Sequence, residues 1–243
     1  MKPARIRRRF LTAGALALVT LCGAAGLLQL SRSRTFQLFG RIVPRVNTSQ
    51  RLVALTFDDG PTRGRTAEVL RLLRERGVRA TFFVTGGELE QGMSAGRDIV
   101  AAGHELGNHS YSHERMVFVT PSYVRREVER TDELIRAAGH AGPIHFRPPY
   151  GKKLLALPFY LSRHDRTTVT WDVAPDSDLA ADADAEAITR HVLERTRPGS
   201  IILLHVMYPS RGETMRAVPF IIEGLEREGY RFVTVSELLA AAG

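Results

Sequence analysis

The sequence predicts an α/β protein built on a mostly parallel sheet, and three observations support this prediction. Short β-rich apolar runs alternate with amphipathic helical patterns from residue 51 to the end of the chain. About seven strands recur in this alternation, which favours a distorted or incomplete (β/α) barrel over an open sheet. Unusual polar residues follow the strands at their C-terminal ends, where barrel enzymes assemble their active sites.

The N-terminus predicts export from the cytoplasm. Five cationic side chains occupy the first ten residues, and the apolar run of residues 10–30 is just long enough to span a bilayer as a helix. The positive cluster is expected to stay cytoplasmic, which places the rest of the chain outside. Two alternatives stay open for residues 1–34. They are an uncleaved signal anchor and a cleaved signal peptide. We favour the anchor, because leucines follow the possible cleavage site formed by the small residues Gly23 and Ala25.

Residues 35–50 lack a clear hydrophobic period and are interpreted as a linker, either a tether or a lead-in strand, before a domain over residues 51–243. Glycines such as Gly77 and Gly139 end the predicted helices of this domain. Strands are predicted at residues 52–57, 80–84, 104–108, 167–171, 200–204 and 231–233, with one more directly before Arg147. Helices are predicted at residues 66–76, 123–138, 186–195, 216–228 and 236–242, and one ends over residues 98–102.

The net charge of +8 does not indicate nucleic-acid binding, because the charge is unevenly placed. Seven of the 34 basic residues and none of the 26 acidic ones fall in residues 1–34, so the remainder is nearly neutral. The single cysteine, Cys22, lies in the apolar run. The domain therefore has no disulfide, no cysteine nucleophile and no thiolate metal site, and any metal there must be bound by His, Asp or Glu.

Two carboxylates stand side by side in the sequence Asp58-Asp59-Gly60-Pro61, in a turn at the end of the first strand of the domain. Neighbouring side chains on an extended chain point in opposite directions, so the two carboxylates are expected to take different roles. Taken alone, the motif is also consistent with a solvated turn.

The spacing of His109 and His113 predicts that both imidazoles face the same side of one helical turn. Together with a carboxylate they would complete a His₂Asp site with an open position, the arrangement typical of catalytic zinc. Such a site polarises a carbonyl and makes bound water acidic enough to attack it.

Five segments, in this order, resemble the polysaccharide deacetylase family, also called carbohydrate esterase family 4 or the NodB homology domain. They are Thr56-Phe57-Asp58-Asp59-Gly60-Pro61, Gly107-Asn108-His109-Ser110-Tyr111-Ser112-His113, Arg147-Pro148-Pro149-Tyr150-Gly151, a segment centred on Trp171, and Leu203-Leu204-His205. The resemblance extends over about residues 51–240, and the first three segments are very specific in combination.

The resemblance implies a metal centre and its base. By it, Asp59, His109 and His113 bind a divalent metal, most often Zn²⁺, although Co²⁺, Ni²⁺ or Mn²⁺ can serve. Asp58 is the general base toward the attacking water, and Arg147 pairs with Asp58 and orients it.

The resemblance also implies the groups that contact the substrate. His205 is the general acid for the departing sugar amine, and the backbone N–H of Tyr150 stabilises the tetrahedral oxyanion. Trp171 and Leu203 receive the acetyl methyl group. His104 also fits the family pattern, but we interpret it as structural.

The fourth segment departs from the family pattern, with Ala174 and Ser177 at positions where acidic residues are usual. This departure leaves the metal ligands intact and puts the acetyl pocket and the sugar subsite in question. One of three nearby acids is expected to tether Arg147 instead: Asp172, Asp176 or Asp178.

The sequence thus predicts a metal-dependent hydrolase that removes N-acetyl groups from an extracytoplasmic glycan, such as peptidoglycan, a chitin-like oligomer or an exopolysaccharide. An alternative with the same centre is an O-acetyl esterase or a deformylase of a lipid-linked amino sugar. A non-catalytic glycan-binding role is disfavoured, because base, metal ligands, arginine and acid are all present. The expected partners are the glycan and, through the N-terminal helix, the membrane. The catalytic domain is then anchored outside the cell membrane, or secreted if the signal is cleaved.

Overall fold

Residues 19–242 are described by a computed structural model of the chain. In this part of the chain there are seven strands, and each pairing between them is parallel. They are β1 (Ile42–Val43), β2 (Leu52–Asp58), β3 (Thr81–Val84), β4 (Glu105–Asn108), β5 (Thr168–Val169), β6 (Ile201–His205) and β7 (Arg231–Phe232). The predicted α/β class with parallel strands is confirmed.

The strands are linked into an irregular ring. Strand β2 pairs with β3, β6 and β7, and β3 pairs with β4. A single bridging residue, Phe146, pairs with Asn108 of β4 on one side and with Thr168 of β5 on the other. Val173, a few residues after β5, pairs with Ile202 of β6. Backbone pairing can therefore be followed from β2 through β3, β4 and β5 to β6, which pairs with β2 again. The strand expected before Arg147 is present only as the single bridging residue Phe146.

Strand β2 is buried along its whole length and separates two parts of the core. Val53, Leu55 and Phe57 belong to a large cluster that the helices cover, whereas Leu52 and Ala54 belong to a second cluster. Because side chains alternate across a strand, burial on both faces produces the continuous apolar run seen in the sequence.

Nine α-helices accompany the strands in the described chain after residue 42. They are α1 (Arg63–Glu75), α2 (Gly86–Gln91), α3 (Met93–Ala101), α4 (Pro121–Ala137), α5 (Ala156–Arg163), α6 (Pro175–Asp178), α7 (Ala185–Arg195), α8 (Gly212–Arg227) and α9 (Val235–Ala240). The six predicted helices correspond to α1, α3, α4, α7, α8 and α9. The sequence pattern does not predict α2, α5 or α6, because helices of four to eight residues are too short to show a hydrophobic period.

Part of the predicted linker at residues 35–50 is packed on the domain. Strand β1 pairs with β5, and Val43 and Val46 are buried in the second core cluster. The backbone N–H of Val46 also donates to Gly199. Apolar side chains at these two positions give the segment enough buried surface to order it against the strands.

Within residues 19–242, no helix is long and apolar enough to cross a membrane. Residues 19–32 are helical, but the predicted apolar run of residues 10–30 begins outside the described part of the chain. The membrane anchor therefore stays a prediction.

Candidate active site

The C-terminal ends of the parallel strands bring together the polar residues that the sequence singles out. Asp58, the last residue of β2, pairs in register with His205 of β6. His109 follows the end of β4 directly, and its ring nitrogen lies close to the backbone of Arg147. The expectation that these groups meet at one end of the strands is confirmed.

Asp58 and Asp59 face a common centre, contrary to the alternation expected of an extended chain. Their carboxylate oxygens lie 3.6 and 3.9 Å from Nε2 of His109. The reason is the backbone of Asp59, whose φ of 74° lies in the left-handed region. The two carboxylates nevertheless differ in their partners. In the described chain Asp58 forms an ion pair with Arg147, whereas Asp59 forms none with an arginine.

The two imidazoles of His109 and His113 do converge, with ring centroids 4.9 Å apart. The predicted helical turn is wrong, however, because residues 109–113 form an irregular loop. Ser110 and His113 have φ values of 63° and 60°, which turn the chain back on itself. A buried carboxylate, Glu127, supports this loop by accepting hydrogen bonds from the backbone N–H groups of residues 111 and 112.

A hydrogen bond fixes the orientation of His109. Its Nδ1 lies 2.7 Å from the carbonyl oxygen of Arg147, and since a carbonyl only accepts, Nδ1 carries the proton. The lone pair of Nε2 therefore faces Asp58 and Asp59. Burial lowers the pKa of His109 despite these two carboxylates, which favours the neutral imidazole that a metal ligand requires.

The donor set fits a divalent cation. Ligand atoms of Asp59, His109 and His113 lie within 4.8 Å of one another. Oδ1 of Asp59 is buried without a hydrogen-bond partner in the described chain, and it lies 3.3 Å from Nε2 of His113. An unpartnered buried carboxylate oxygen is costly unless a cation completes its environment.

Arg147 is fully buried and is held by two residues of β2 and by Thr170, which directly follows β5. Its Nη1 donates to Oδ1 of Asp58 at 2.5 Å and to Oγ1 of Thr56 at 2.8 Å, and Nη2 donates to the carbonyl oxygen of Thr170 at 3.1 Å. The expected pairing of Arg147 with Asp58 is therefore present. The guanidinium also lies 3.9 Å from the ring centroid of Phe83.

The acids that follow Trp171 do not tether Arg147, and this expectation is wrong. Among described residues, Asp172 instead accepts hydrogen bonds from Ser200 and Ile201, and Asp178 contacts a histidine on α7. The two Nη groups of Arg147 donate to Asp58, Thr56 and Thr170 instead, while its Nε is buried without a partner in the described chain.

Asp176 supports His205 instead. Oδ2 of Asp176 lies 2.8 Å from Nδ1 of His205 and also accepts the His205 backbone N–H at 3.2 Å. Burial opposes protonation of His205, but the hydrogen bond to Asp176 and the nearby charges of Asp58 and Asp59 raise its pKa overall. The protonated imidazole is therefore favoured at the edge of the site.

The residues expected to contact substrate lie beside this centre. Tyr150 has a φ of 57°, and its half-exposed ring lies 4.7 Å from that of His113. Trp171 and Leu203 belong to the same core cluster, and Nε1 of Trp171 is buried without a partner in the described chain. Gly151 lies against Trp171, where an added Cβ would be 3.2 Å from the indole.

Sequence reasoning missed Glu88 on α2. Its Oε2 accepts the backbone N–H of Gly60 and the hydroxyl of Thr85, both at 2.8 Å, and its Oε1 accepts the hydroxyl of Tyr208 at 2.8 Å. Glu88 thus holds the turn directly after Asp59. The sequence did contain a signal for this helix, because Thr85 is followed three residues later by Glu88, a spacing typical of a helix N-terminus.

Comparison with known proteins identifies relatives of this arrangement. Residues 45–169 match the family model described as polysaccharide deacetylase. The chain is 32% identical to a peptidoglycan-N-acetylglucosamine deacetylase of Bacillus cereus over 200 residues, which are 82% of this chain and 93% of that protein. A crystal structure of a peptidoglycan N-acetylglucosamine deacetylase superimposes with a TM-score of 0.76 at 31% identity, covering 81% of this chain and 91% of the other.

A second solved structure is informative about the metal. It is a family 4 acetyl xylan esterase from Clostridium thermocellum in complex with a cobalt ion. It superimposes with a TM-score of 0.70 at 34% identity and covers 78% of this chain and 90% of the other.

Proposed function

The chain belongs to the polysaccharide deacetylase family, and from this premise we propose that it hydrolyses the N-acetyl groups of a glycan outside the cytoplasmic membrane. The observation that supports this proposal most strongly is that two adjacent carboxylates have different surroundings. Asp58 is paired with buried Arg147, whereas Asp59 leaves an unpartnered oxygen beside two imidazoles. One carboxylate is thus arranged as a base and the other as a metal ligand.

Asp59, His109 and His113 would hold the divalent cation, and Zn²⁺ is the ion that a His₂Asp set with an open position suits best. Co²⁺, Ni²⁺ and Mn²⁺ accept the same donors, and the cobalt-containing relative supports this range. When bound, the cation supplies Lewis acidity that polarises the acetyl carbonyl and acidifies the attacking water.

Asp58 is the general base. The ion pair with Arg147 holds one carboxylate oxygen, while the other lies 3.6 Å from Nε2 of His109 and faces the centre. Arg147 therefore fixes the orientation of Asp58 toward the attacking water, from which Asp58 is proposed to accept a proton. Burial of both partners excludes water that would weaken this interaction.

His205 is the general acid. Since Nδ1 donates to Asp176, the other ring nitrogen is the one that delivers a proton to the departing amine. Asp176 stabilises the imidazolium form until that transfer. The amine leaves as a neutral group only if protonated, so this step is required for amide cleavage.

Tyr150, Trp171 and Leu203 position the substrate. The backbone N–H of Tyr150 is proposed to stabilise the oxyanion that develops on the acetyl carbonyl. Trp171 and Leu203, which are buried in the same apolar cluster, are proposed to receive the acetyl methyl group. Their burial gives that pocket an apolar floor.

O-acetyl ester hydrolysis is the second candidate, because one structural relative is an acetyl xylan esterase. Assays of the full-length protein on N-acetylated and O-acetylated glycans separate the two, with and without added divalent metal. Amide hydrolysis releases acetate together with a new free amine, whereas ester hydrolysis releases acetate alone. Deformylation of a lipid-linked amino sugar would release formate. Acetate release without new amine on every glycan would overturn the N-deacetylase proposal.

We also propose that residues 1–34 anchor the protein in the membrane with the domain outside. The five cationic residues before the apolar run support this orientation. An anchored protein is expected to fractionate with membranes and to keep its N-terminus. A mature protein that begins after Ala25 and is recovered without membranes would show that the segment is a cleaved signal peptide.

A further inference from the structure

Four cationic side chains lie near the short 3₁₀ turn Pro149–Gly151, beside the proposed active site. They come from three separate stretches of the chain and are named here the cationic rim. Its members are Arg32, Arg34, Arg115 and Lys152. Arg32 and Arg115 are exposed, and Arg34 and Lys152 are partly exposed, so all four are accessible to a ligand.

Backbone contacts fix these stretches beside one another. Met116 forms a parallel bridge with Lys153, which sets Arg115 beside Lys152. The backbone N–H of Lys153 donates to the carbonyl oxygen of Ser31 at 3.1 Å, and its buried ammonium group donates to the carbonyl oxygen of Ser33. The rim is therefore built by the fold and does not depend on flexible side chains meeting by chance.

Arg34 is held on the other side of the turn. The hydroxyl of Thr170 donates to the carbonyl oxygen of Arg34 at 2.7 Å. The Arg34 guanidinium lies 5.0 Å from the ring centroid of Trp171, which also contacts Gly151. Arg34 thus stands above the residue proposed to line the acetyl pocket.

The rim also reaches the metal ligands. The guanidinium of Arg115 lies 4.8 Å from the ring centroid of Tyr150, and that ring lies 4.7 Å from the ring of His113. One aromatic ring therefore separates a free cation from a proposed metal ligand. A sugar bound with its acetyl group at the metal centre would place its neighbouring sugars within reach of this cation.

Within residues 19–242, none of the four cations forms an ion pair with a carboxylate. Glu114 is the neighbour of Arg115 in sequence, but its exposed side chain makes no ion pair with the rim in the described chain. Partial burial and the charges of Arg32 and Arg115 lower the pKa of Lys152. Gathering like charges is unfavourable unless an anion is bound there, which makes the rim a candidate anion site.

We propose that the cationic rim binds a carboxylate or phosphate group of the substrate, so that the protein prefers an acidic N-acetylated glycan to a neutral one. This inference rests on the proposed deacetylase function and names its substrate class. A glycan is favoured over a lipid headgroup because Arg115 and Arg34 contact the aromatic walls of the site itself.

The test compares two tetrasaccharides as substrates of the full-length protein. One is N-acetylglucosamine tetramer, which is neutral, and the other alternates N-acetylglucosamine with N-acetylmuramic acid, whose lactyl groups add two carboxylates. The variant R115Q/K152Q removes two rim charges. Its matched control is R74Q/R195Q, which removes two exposed charges from the C-terminal ends of α1 and α7, at the opposite end of the strands.

The wild type and the control are expected to show a higher kcat/KM for the acidic tetramer, with the preference decreasing as salt rises from 0.05 to 0.5 M because exposed charges are screened. R115Q/K152Q is expected to raise KM for the acidic tetramer by about tenfold or more, roughly 1.4 kcal/mol, and to lose most of the salt dependence. Equal kcat/KM for the two tetramers in the wild type, or an unchanged preference in R115Q/K152Q, overturns the inference while leaving the deacetylase proposal standing.

Failure to deacetylate either tetramer under any metal condition counts against the proposed function itself. A second arm measures sedimentation with phosphatidylcholine vesicles that contain or lack phosphatidylglycerol. If R115Q/K152Q loses a preference for phosphatidylglycerol while its preference between the tetramers is unchanged, the rim is a lipid site and the inference is wrong.

Discussion

Oδ1 of Asp58 lies 2.5 Å from Nη1 of Arg147, and both side chains are almost completely buried. A buried carboxylate is unfavourable unless a cation or hydrogen-bond donors accompany it, and Arg147 is that partner for Asp58. Arg147 is therefore a positioning residue that acts through Asp58. The neighbouring Asp59 has no such partner among the described residues and is free to bind a cation. This difference between adjacent residues is the centre of the account.

Asp176→Asn is expected to move the pH dependence of the reaction. Asp176 contributes to the raised pKa of His205, and activity requires the protonated imidazole, so activity falls as pH rises through that pKa. The amide still accepts from Nδ1 but carries no charge, so the alkaline limb of the kcat profile should shift to lower pH. At neutral pH kcat should fall by roughly 10²-fold, within the usual contribution of general acid catalysis.

Asp172→Asn is the matched control for this prediction. It neutralises a nearby acid that hydrogen-bonds Ser200 and Ile201 rather than His205. The pH profile of kcat should keep the wild-type position in this variant. An unshifted profile in Asp176→Asn would contradict the role given to Asp176.

The role of Asp176 shows where the sequence stops being informative. Motif matching places Asp58, Asp59, His109, His113, Arg147 and His205 at strand ends, and the structure brings them together there. The partner of an isolated acid depends on the path of a short helix such as α6, and a four-residue helix has no readable period.

Backbone conformation is the second feature of the site that the sequence did not predict. The strand alternation and the helical spacing both assume regular φ/ψ angles, and left-handed residues at Asp59, Ser110 and His113 break them. Non-glycine residues adopt this region rarely, so a sequence pattern gives little warning of it. The residue types at the site were predicted, whereas the loop geometry that makes their side chains converge was not.

Glu88→Ala is expected to weaken metal binding without removing a ligand. The substitution leaves the backbone N–H of Gly60 without its acceptor and frees the turn that carries Asp59. Loss of such an orienting contact typically lowers metal affinity 10–100-fold. Competition with a chelator of known affinity measures the change, alongside a thermal melt to confirm folding.

Glu88→Gln provides the control, because the amide can accept from Gly60 and donate to the hydroxyl of Tyr208. It should bind metal nearly as tightly as the wild type. Equal affinities in all three proteins would show that Glu88 has no part in positioning Asp59.

His104 is expected to make the fold sensitive to acid. It is buried, and its Nδ1 accepts the backbone N–H of Ala80 at 3.1 Å, in agreement with the structural role expected from the sequence. Burial, with a smaller contribution from Arg79, lowers its pKa from 6.5 to about 4. As pH falls, His104 therefore binds a proton in the unfolded chain before it does so in the folded one. The free energy of unfolding decreases between pH 6.5 and pH 4, by up to about 3 kcal/mol.

His104→Asn keeps an acceptor for Ala80 but does not titrate in this range. Urea unfolding of both proteins at pH 7.5 and pH 4.5 measures the effect. The wild type should be the more stable at pH 7.5, and its advantage should shrink or reverse at pH 4.5. A difference in unfolding free energy that is the same at both pH values would contradict the assignment.

The most direct test of the account measures metal content and turnover together in Asp58→Asn and Asp59→Asn, on one glycan substrate. Asp58→Asn keeps the shape of the side chain but cannot accept the proton, so the metal should remain bound while kcat falls by roughly 10²–10⁴-fold. Asp59→Asn removes the anionic ligand and should lose both metal and activity. If Asp58→Asn loses its metal while Asp59→Asn keeps it, the two roles are reversed, and if both retain metal and full turnover, the carboxylate pair is not catalytic.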